Sequence, residues 1–305
     1  MMDRIAIIGA GLMGHGLALV FARGGHAVTI TDAFPDARAS VLERVAATLK
    51  ALGQPTDCVG LVTVTDDLPT CVAHADIVVE AAPEKLPLKQ DLFAQLEAAA
   101  RPDAILASNT SVIPIGQIAA RVASKHRVCG THWWNPPYLV PLVEVIQTDG
   151  TDTATITRMM SLLTTLGKTP VHVRRDVPGF VGNRLQHALW REAIALVEMG
   201  VCDAETVDLV VKSSFGRRLA VLGPLEGADL IGTDLTLDIH RQVLSHLNRD
   251  QGPNPLLERL NAEGKLGFKT GEGFRRWTPE AQARLRAKVL SHVTVVNKML
   301  DEDEE

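Results

Sequence analysis

Arg4-Ile5-Ala6-Ile7-Ile8-Gly9-Ala10-Gly11-Leu12-Met13-Gly14 is the stretch on which the fold turns. An apolar, β-prone run enters three glycines spaced GxGxxG. The apolar residues continue with helical character to Arg23, where Gly24-Gly25 ends them. A second apolar run, Ala27–Thr31, closes on Asp32. Strand, glycine turn, helix and acid-tipped strand form one βαβ unit. Its glycines allow a tight turn, close approach of a diphosphate and contact between helix and strand. The helix start presents free N–H groups to phosphate. Asp32 can accept hydrogen bonds from ribose hydroxyls, and its charge opposes a 2′-phosphate. No Arg follows at once. The unit is therefore read as a Rossmann-type site for NAD rather than NADP, with Gly9, Gly11, Leu12, Met13, Gly14 and Asp32 as cofactor residues. FAD shares the fingerprint, but the later glycine-rich contacts of flavoproteins are missing. A glycine turn beside a solvated Asp is the bland alternative, and the flanking strand and helix argue against it.

Outward from this unit, the alternation continues. Val62–Thr65, Ile77–Glu80 and Ile105–Ser108 read as buried strands, with helices at Ala37–Leu52 and Leu86–Ala100. Val128–Thr131, Leu142–Ile146 and Val171–Arg174 read as later strands, with a helix near Thr155–Leu166. Alternating strands and helices predict an α/β, doubly wound sheet covered on both faces. After Pro178-Gly179 only helical patterns occur: Val181–Met199, Ala204–Phe215, Leu225–Leu247 and Pro279–Leu300. The expected organisation is a cofactor domain over 1–178 and an all-helical substrate and dimerisation domain over 179–305. The chain has 305 residues, room for about two domains.

Composition narrows the partners. The net charge of −5, without a basic patch, argues against nucleic acid. No run approaches the roughly 18 apolar residues of a membrane span, and the first apolar run is too short for a signal peptide. Cys58, Cys71, Cys129 and Cys202 form no CxxC pair, as expected of reduced thiols in a cytoplasmic protein. No metal site is expected. The acidic tail at 301–305 is expected to be frayed and solvated.

Ten histidines make any single one a poor candidate by itself, but His132 has a distinctive setting. It ends an apolar run and precedes Trp133-Trp134-Asn135-Pro136-Pro137. Glu144 comes twelve residues later, inside the apolar run Leu142–Ile146. A carboxylate there is costly unless paired. A turn at the prolines would fold the second run beside the first and bring Glu144 to His132. A carboxylate on one imidazole nitrogen fixes the tautomer and makes the other nitrogen a better base. That arrangement suits removal of a hydroxyl proton as hydride leaves the same carbon.

Ser108-Asn109-Thr110-Ser111, His132-Trp133-Trp134-Asn135-Pro136, Leu142-Val143-Glu144 and Pro178-Gly179-Phe180-Val181-Gly182-Asn183-Arg184 occur in that order. With the glycine motif, they resemble the 3-hydroxyacyl-CoA dehydrogenase family from residue 4 to about 277. The resemblance implies a His132–Glu144 dyad, an active-site Ser111, polar contacts from Asn135 and Asn183, and an acid at Glu80 near the nicotinamide ribose. It also implies that the helical region makes dimer contacts. Ser111 and Asn183 can donate to the substrate oxygen as it gains negative charge; their bland alternatives are helix-cap or turn roles. Asn109 joins the cofactor residues, with the same bland alternative.

Two departures bear on substrate. The acyl-CoA enzymes of the family carry a long, lysine-bearing helical pair after the ribose acid. Here 33 residues separate Asp32 from Asp66, with Lys50 as their only lysine. The family's glycine-rich turn in the second domain is replaced by Gly216-Arg217-Arg218-Leu219-Ala220-Val221-Leu222-Gly223-Pro224. These features are similar to the short branches of the family, one acting on L-carnitine and one on a formyl-hydroxypyridine carboxylate. Arg217 and Arg218 can hold a carboxylate by a charge-assisted fork, or form a solvated basic turn. Trp134, with Trp133, can line a pocket or pack beneath the loop. The expectation is a small hydroxy acid or an aromatic hydroxy- or aldehyde-carboxylate, aldehyde oxidation being an alternative reaction. Hydroxyacyl-CoA remains a competitor, since Lys85 or Lys89 can contribute cations. A non-catalytic NAD-binding or structural protein is the remote alternative.

Overall fold

The computed structural model describes residues 2–302, with side chains described as far as Leu300. The acidic tail singled out in the sequence lies outside that range of side chains. The chain divides into two units, Met1–Arg184 and Leu185–Glu305.

The first unit carries β1 (Arg4–Ile8), α1 (Leu12–Arg23), β2 (Ala27–Thr31), α2 (Pro35–Ala39), α3 (Val41–Ala51), β3 (Val62–Val64) and α4 (Leu68–Val72). It continues with β4 (Ile77–Glu80), α5 (Leu86–Ala99), β5 (Ile105–Ser108), α6 (Ile115–Ile118), β6 (Val128–Trp133), β7 (Leu142–Ile146), α7 (Thr153–Thr165) and β8 (Thr169–Val173). The strands form one sheet in the order β3-β2-β1-β4-β5-β6-β7-β8. Every neighbouring pair is parallel except β6 and β7. Near-continuous apolar strands are the result, because a parallel sheet with helices on both faces buries both sets of side chains. Ile5 and Ile7 pack on one face with Leu17, Phe21, Val45 and Met159. Ala6 and Ile8 pack on the other with Val78, Phe93, Leu96 and Leu106.

One helix in this unit differs from expectation. The helix read over Ala37–Leu52 is two helices, α2 and α3, which meet at Ser40. By contacts the two units part at Arg184, inside α8 (Gly182–Glu198). The start of α8 is bonded to a carboxylate of β7, which ties it to the sheet.

The second unit holds the rest of α8 with α9 (Ala204–Ser213), α10 (Pro224–Ile231), α11 (Thr233–Val243), α12 (Pro255–Ala262) and α13 (Pro279–Glu302). The helix expected over Leu225–Leu247 breaks at Gly232, whose φ of 97° is left-handed and ends α10. No strand is assigned in this unit among the described residues; only isolated bridges at Gly267, Glu272 and Arg276 occur.

Candidate active site

The glycine turn fits a dinucleotide. Gly9 has φ 109°, and a Cβ there would lie 2.6 Å from the Ala81 carbonyl oxygen. A Cβ on Gly14 would overlap the Gly9 carbonyl oxygen, so only glycine allows α1 to approach β1 this closely. Gly11 differs: no atom lies within 4 Å of the Cβ position. That open space adjoins the start of α1, which has no side-chain cap. Uncapped N–H groups beside an open glycine are suited to a diphosphate. Asp32 directly follows β2 and is half-buried. Its Oδ2 accepts from Ala10 N at 2.6 Å and its Oδ1 from Phe34 N at 2.8 Å. These bonds fix the carboxylate at the turn where a ribose would sit.

The dyad comes from the one antiparallel pair. Strand register sets His132 directly opposite Glu144, so a residue pair twelve apart in sequence becomes a cross-strand pair. His132 Nδ1 lies 2.7 Å from Glu144 Oε2. The side chains are 5% and 1% exposed. Glu144 Oε1 accepts from Val181 N at 2.8 Å and Gly182 N at 3.1 Å. Burial pushes the Glu144 carboxyl up, but the bonds from His132, Gly182 and Val181 outweigh it and hold the group below the usual carboxylate range. An ionised carboxylate only accepts, so Nδ1 carries the proton and Nε2 is the basic nitrogen. Two aromatic rings contact the imidazole, Trp134 at 5.3 Å and Phe180 at 5.8 Å between centroids.

His132 opens onto a cleft of about 380 Å³ lined also by Leu12, Met13, Glu84, Asn109, Ser111, Trp134, Asn135 and Asn183. The cleft brings together His132, Ser111, Asn183, Leu12, Met13, Asn109, Asn135 and Trp134 of the residues singled out in the sequence, and does not include Gly9, Gly11, Gly14, Asp32, Glu80 or Glu144 in its lining. Within its wall, Asn109 Oδ1 accepts from Trp133 N at 3.1 Å, which ties the end of β5 to the dyad strand. Asn183 Nδ2 donates to the Ser111 carbonyl at 2.7 Å. The first turn of α8 and the Ser111 loop are therefore held together.

Glu80 is placed differently from the expectation of a ribose contact. It is wholly buried, and its oxygens are taken by Lys89 Nζ, Ala82 N and Ser108 Oγ, each at 2.6 Å. The acid in the cleft wall is Glu84, four residues on. Its Oε1 accepts from Thr110 Oγ1, Ser111 N and Val112 N. Burial raises its carboxyl, and the bonds from Thr110, Val112 and Ser111 with the charge of Lys89 overcome this and hold it low. Lys89, which sequence offered as a cation for a CoA thioester, is also wholly buried and spans Glu80 and Glu84, at 2.6 and 3.5 Å. Sequence contained a signal for this. Lys89, Phe93 and Leu96 share the core face of α5, and an inward lysine requires a buried acid.

Arg217 and Arg218 belong to the second unit. Both are exposed and neither has a salt bridge among the described residues. They stand at a short 3-10 turn over Phe215–Arg217, which Arg218 ends.

Residues 4–177 match the NAD-binding domain of 3-hydroxyacyl-CoA dehydrogenase, and residues 179–277 match that enzyme's C-terminal domain. The chain belongs to the 3-hydroxyacyl-CoA dehydrogenase family. It is an NAD-dependent dehydrogenase acting on a CH–OH group. It is 40% identical to a 5-formyl-3-hydroxy-2-methylpyridine 4-carboxylate 5-dehydrogenase of Mesorhizobium japonicum, across 99% of both chains. It is also 40% identical to an L-carnitine dehydrogenase of Streptomyces coelicolor, across 73% of this chain and 71% of that one. A crystal structure described as a 5-formyl-3-hydroxy-2-methylpyridine 4-carboxylic acid 5-dehydrogenase, an NAD-dependent dismutase, superimposes with a TM-score of 0.91 at 37% identity, across 99% of both chains. No helix among the described residues is long and apolar enough to cross a membrane.

Proposed function

We propose that this dehydrogenase acts on a small hydroxylated acid or an aromatic hydroxy- or aldehyde-carboxylate, with His132 as base. Bound NAD supplies the hydride acceptor, held at Gly9, Gly11, Leu12, Met13, Gly14 and Asp32, with Glu84 in the wall beside them. His132 Nε2 takes the hydroxyl proton. Glu144, kept ionised by its bonds, stabilises the imidazolium that results. Ser111, Asn135 and Asn183 orient the substrate oxygen from the cleft wall, and Trp134 gives the cleft an aromatic side.

The observation that carries the substrate reading is the short segment after β2. In place of a long cationic clasp stand α2 and α3, with Lys50 as the single lysine between Asp32 and Asp66. The structure adds that Lys89 is spent on Glu80. A CoA thioester needs several cations to offset its desolvation and ordering. A small carboxylate needs one fork, for which Arg217 and Arg218 are candidates on charge and exposure. The full-length likeness to a pyridine-carboxylate dehydrogenase supports the same reading. Hydroxyacyl-CoA is the second reading, favoured by the family's own activity. The free cysteines fit a reducing, cytoplasmic setting. The helical unit is proposed to join two copies into a homodimer.

The test is kcat/KM with NAD for 3-hydroxybutyrate, L-carnitine, the formyl-hydroxypyridine carboxylate and 3-hydroxybutyryl-CoA. A free acid is expected to exceed the thioester. A clear advantage for the thioester would overturn the small-acid reading and leave the dyad untouched.

A further inference from the structure

Among the described residues, Phe180 is the only one other than glycine with positive φ, at 49°. It comes directly after Gly179, at φ 74°, so two successive residues are left-handed. A bulky side chain disfavours this conformation, and it persists where the surroundings over-determine it. Phe180 is 1% exposed, so its ring is fixed from every side. Two consequences meet at the dyad. The reversed backbone turns the next two N–H groups, of Val181 and Gly182, onto one oxygen of Glu144. The ring lies against the His132 imidazole at 5.8 Å and 49°, and Trp134 contacts the same imidazole at 5.3 Å. A Cβ on Gly182 would lie 2.5 Å from Trp134 Cζ2, so the same turn also seats the second aromatic wall.

We infer that Phe180 is a positioning residue of the dehydrogenase. Its left-handed backbone aims two amides at Glu144, while its ring fixes the plane of His132. The bland account is core filling, since Phe180 also packs with the cluster on that face of the sheet. The two accounts separate experimentally because glycine keeps the left-handed backbone without cost while removing the ring.

This inference rests on His132 and Glu144 being the reactive pair. His132→Ala is therefore measured beside Phe180→Gly and Phe180→Leu. Turnover is followed with NAD and the free acid that reacts best with wild type. The expected result for Phe180→Gly is a kcat lower by about ten- to a hundredfold, the order reached when reacting groups are slightly misplaced. KM for NAD should stay near wild type. Phe180→Leu, which keeps bulk but not the flat ring, should recover part of the loss. The deshielded proton signal of His132 Nδ1–H, seen by NMR without substrate, should weaken or shift in both variants. Core filling alone lowers the melting temperature and leaves kcat and that signal unchanged in folded protein, which would overturn the inference. If Phe180→Gly does not fold, unchanged kcat and signal in Phe180→Leu overturn it equally. Wild-type turnover in His132→Ala would instead remove the dyad reading itself.

Discussion

The sheet unit and the helical unit solve the problem of burying apolar surface in opposite ways. In the sheet unit, strands and helices shield Ile5, Ile7, Val28, Ile30, Val78, Val79, Leu106, Val143 and Val145 almost completely. The helical unit shields Ala195 alone to that degree among the described residues. Leu209, Val221, Leu225, Leu230 and Val295 are all well exposed there. Exposed apolar surface on this scale is characteristic of an association surface. The sheet unit buries its apolar core within one chain and holds the proposed dyad. The helical unit leaves exposed the apolar side chains on which the proposed homodimer would rest.

That contrast can be attacked at several points, and the largest effect belongs to the glycine turn. Gly14→Ala forces a Cβ against the Gly9 carbonyl backbone. It should abolish measurable NADH binding by fluorescence titration and lower the melting temperature. Gly11→Ala meets no protein atom. It should leave melting unchanged and weaken NADH binding alone. Equal behaviour of the two variants would refute the assignment of the open space to the diphosphate.

Next in size is Glu144→Gln, which leaves His132 without a charged partner. A fall in kcat of roughly ten- to a hundredfold is expected, within the range for general-base catalysis. Its pH dependence is set by the sign of the Glu144 shift. The folded carboxyl is held below its ordinary value, so the stabilisation is present above that value. It is lost as pH falls through the lower, folded value. Wild type should therefore lose more stability than Glu144→Gln on acidification below about pH 4.5, followed by thermal melting. Identical acid profiles would contradict the account.

The helical side is tested by light scattering at micromolar concentration. A mass twice the chain's 32.9 kDa is expected, and a monomer would refute the homodimer. The smallest effect is at Asp32. Asp32→Ala should narrow the preference for NADH over NADPH in titration. A wild type that binds both equally would remove Asp32 from cofactor choice.

Legibility in the sequence obeys the same division. In the sheet unit, apolar runs announced β1, β2, β4, β5 and β7 with the bounds found. The prolines after Trp134 announced the return that pairs His132 with Glu144. Sequence erred where two acids compete for one role. Glu80 stands at the end of an apolar strand and looked poised for a ligand, whereas Lys89 consumes it and Glu84 reaches the cleft. The periodicity of α5 held the clue, because a lysine on an apolar helix face has to find an acid. In the helical unit, apolar periodicity runs across breaks. Gly232 splits α10 from α11, and α12 passed unrecognised although Asn254 caps it and Pro255 begins it. Phe180 could not be read at all, since a left-handed phenylalanine has no signature in composition or spacing.

The most direct test of the central claim is His132→Ala, measured for both turnover and cofactor binding. The cofactor turn and the dyad belong to different parts of the sheet unit, the first at β1 and β2 and the second at β6 and β7. NADH should therefore bind with near wild-type affinity, while kcat falls by roughly a hundred- to ten-thousandfold. Turnover comparable to wild type with NADH bound would contradict the mechanism built on His132 and Glu144.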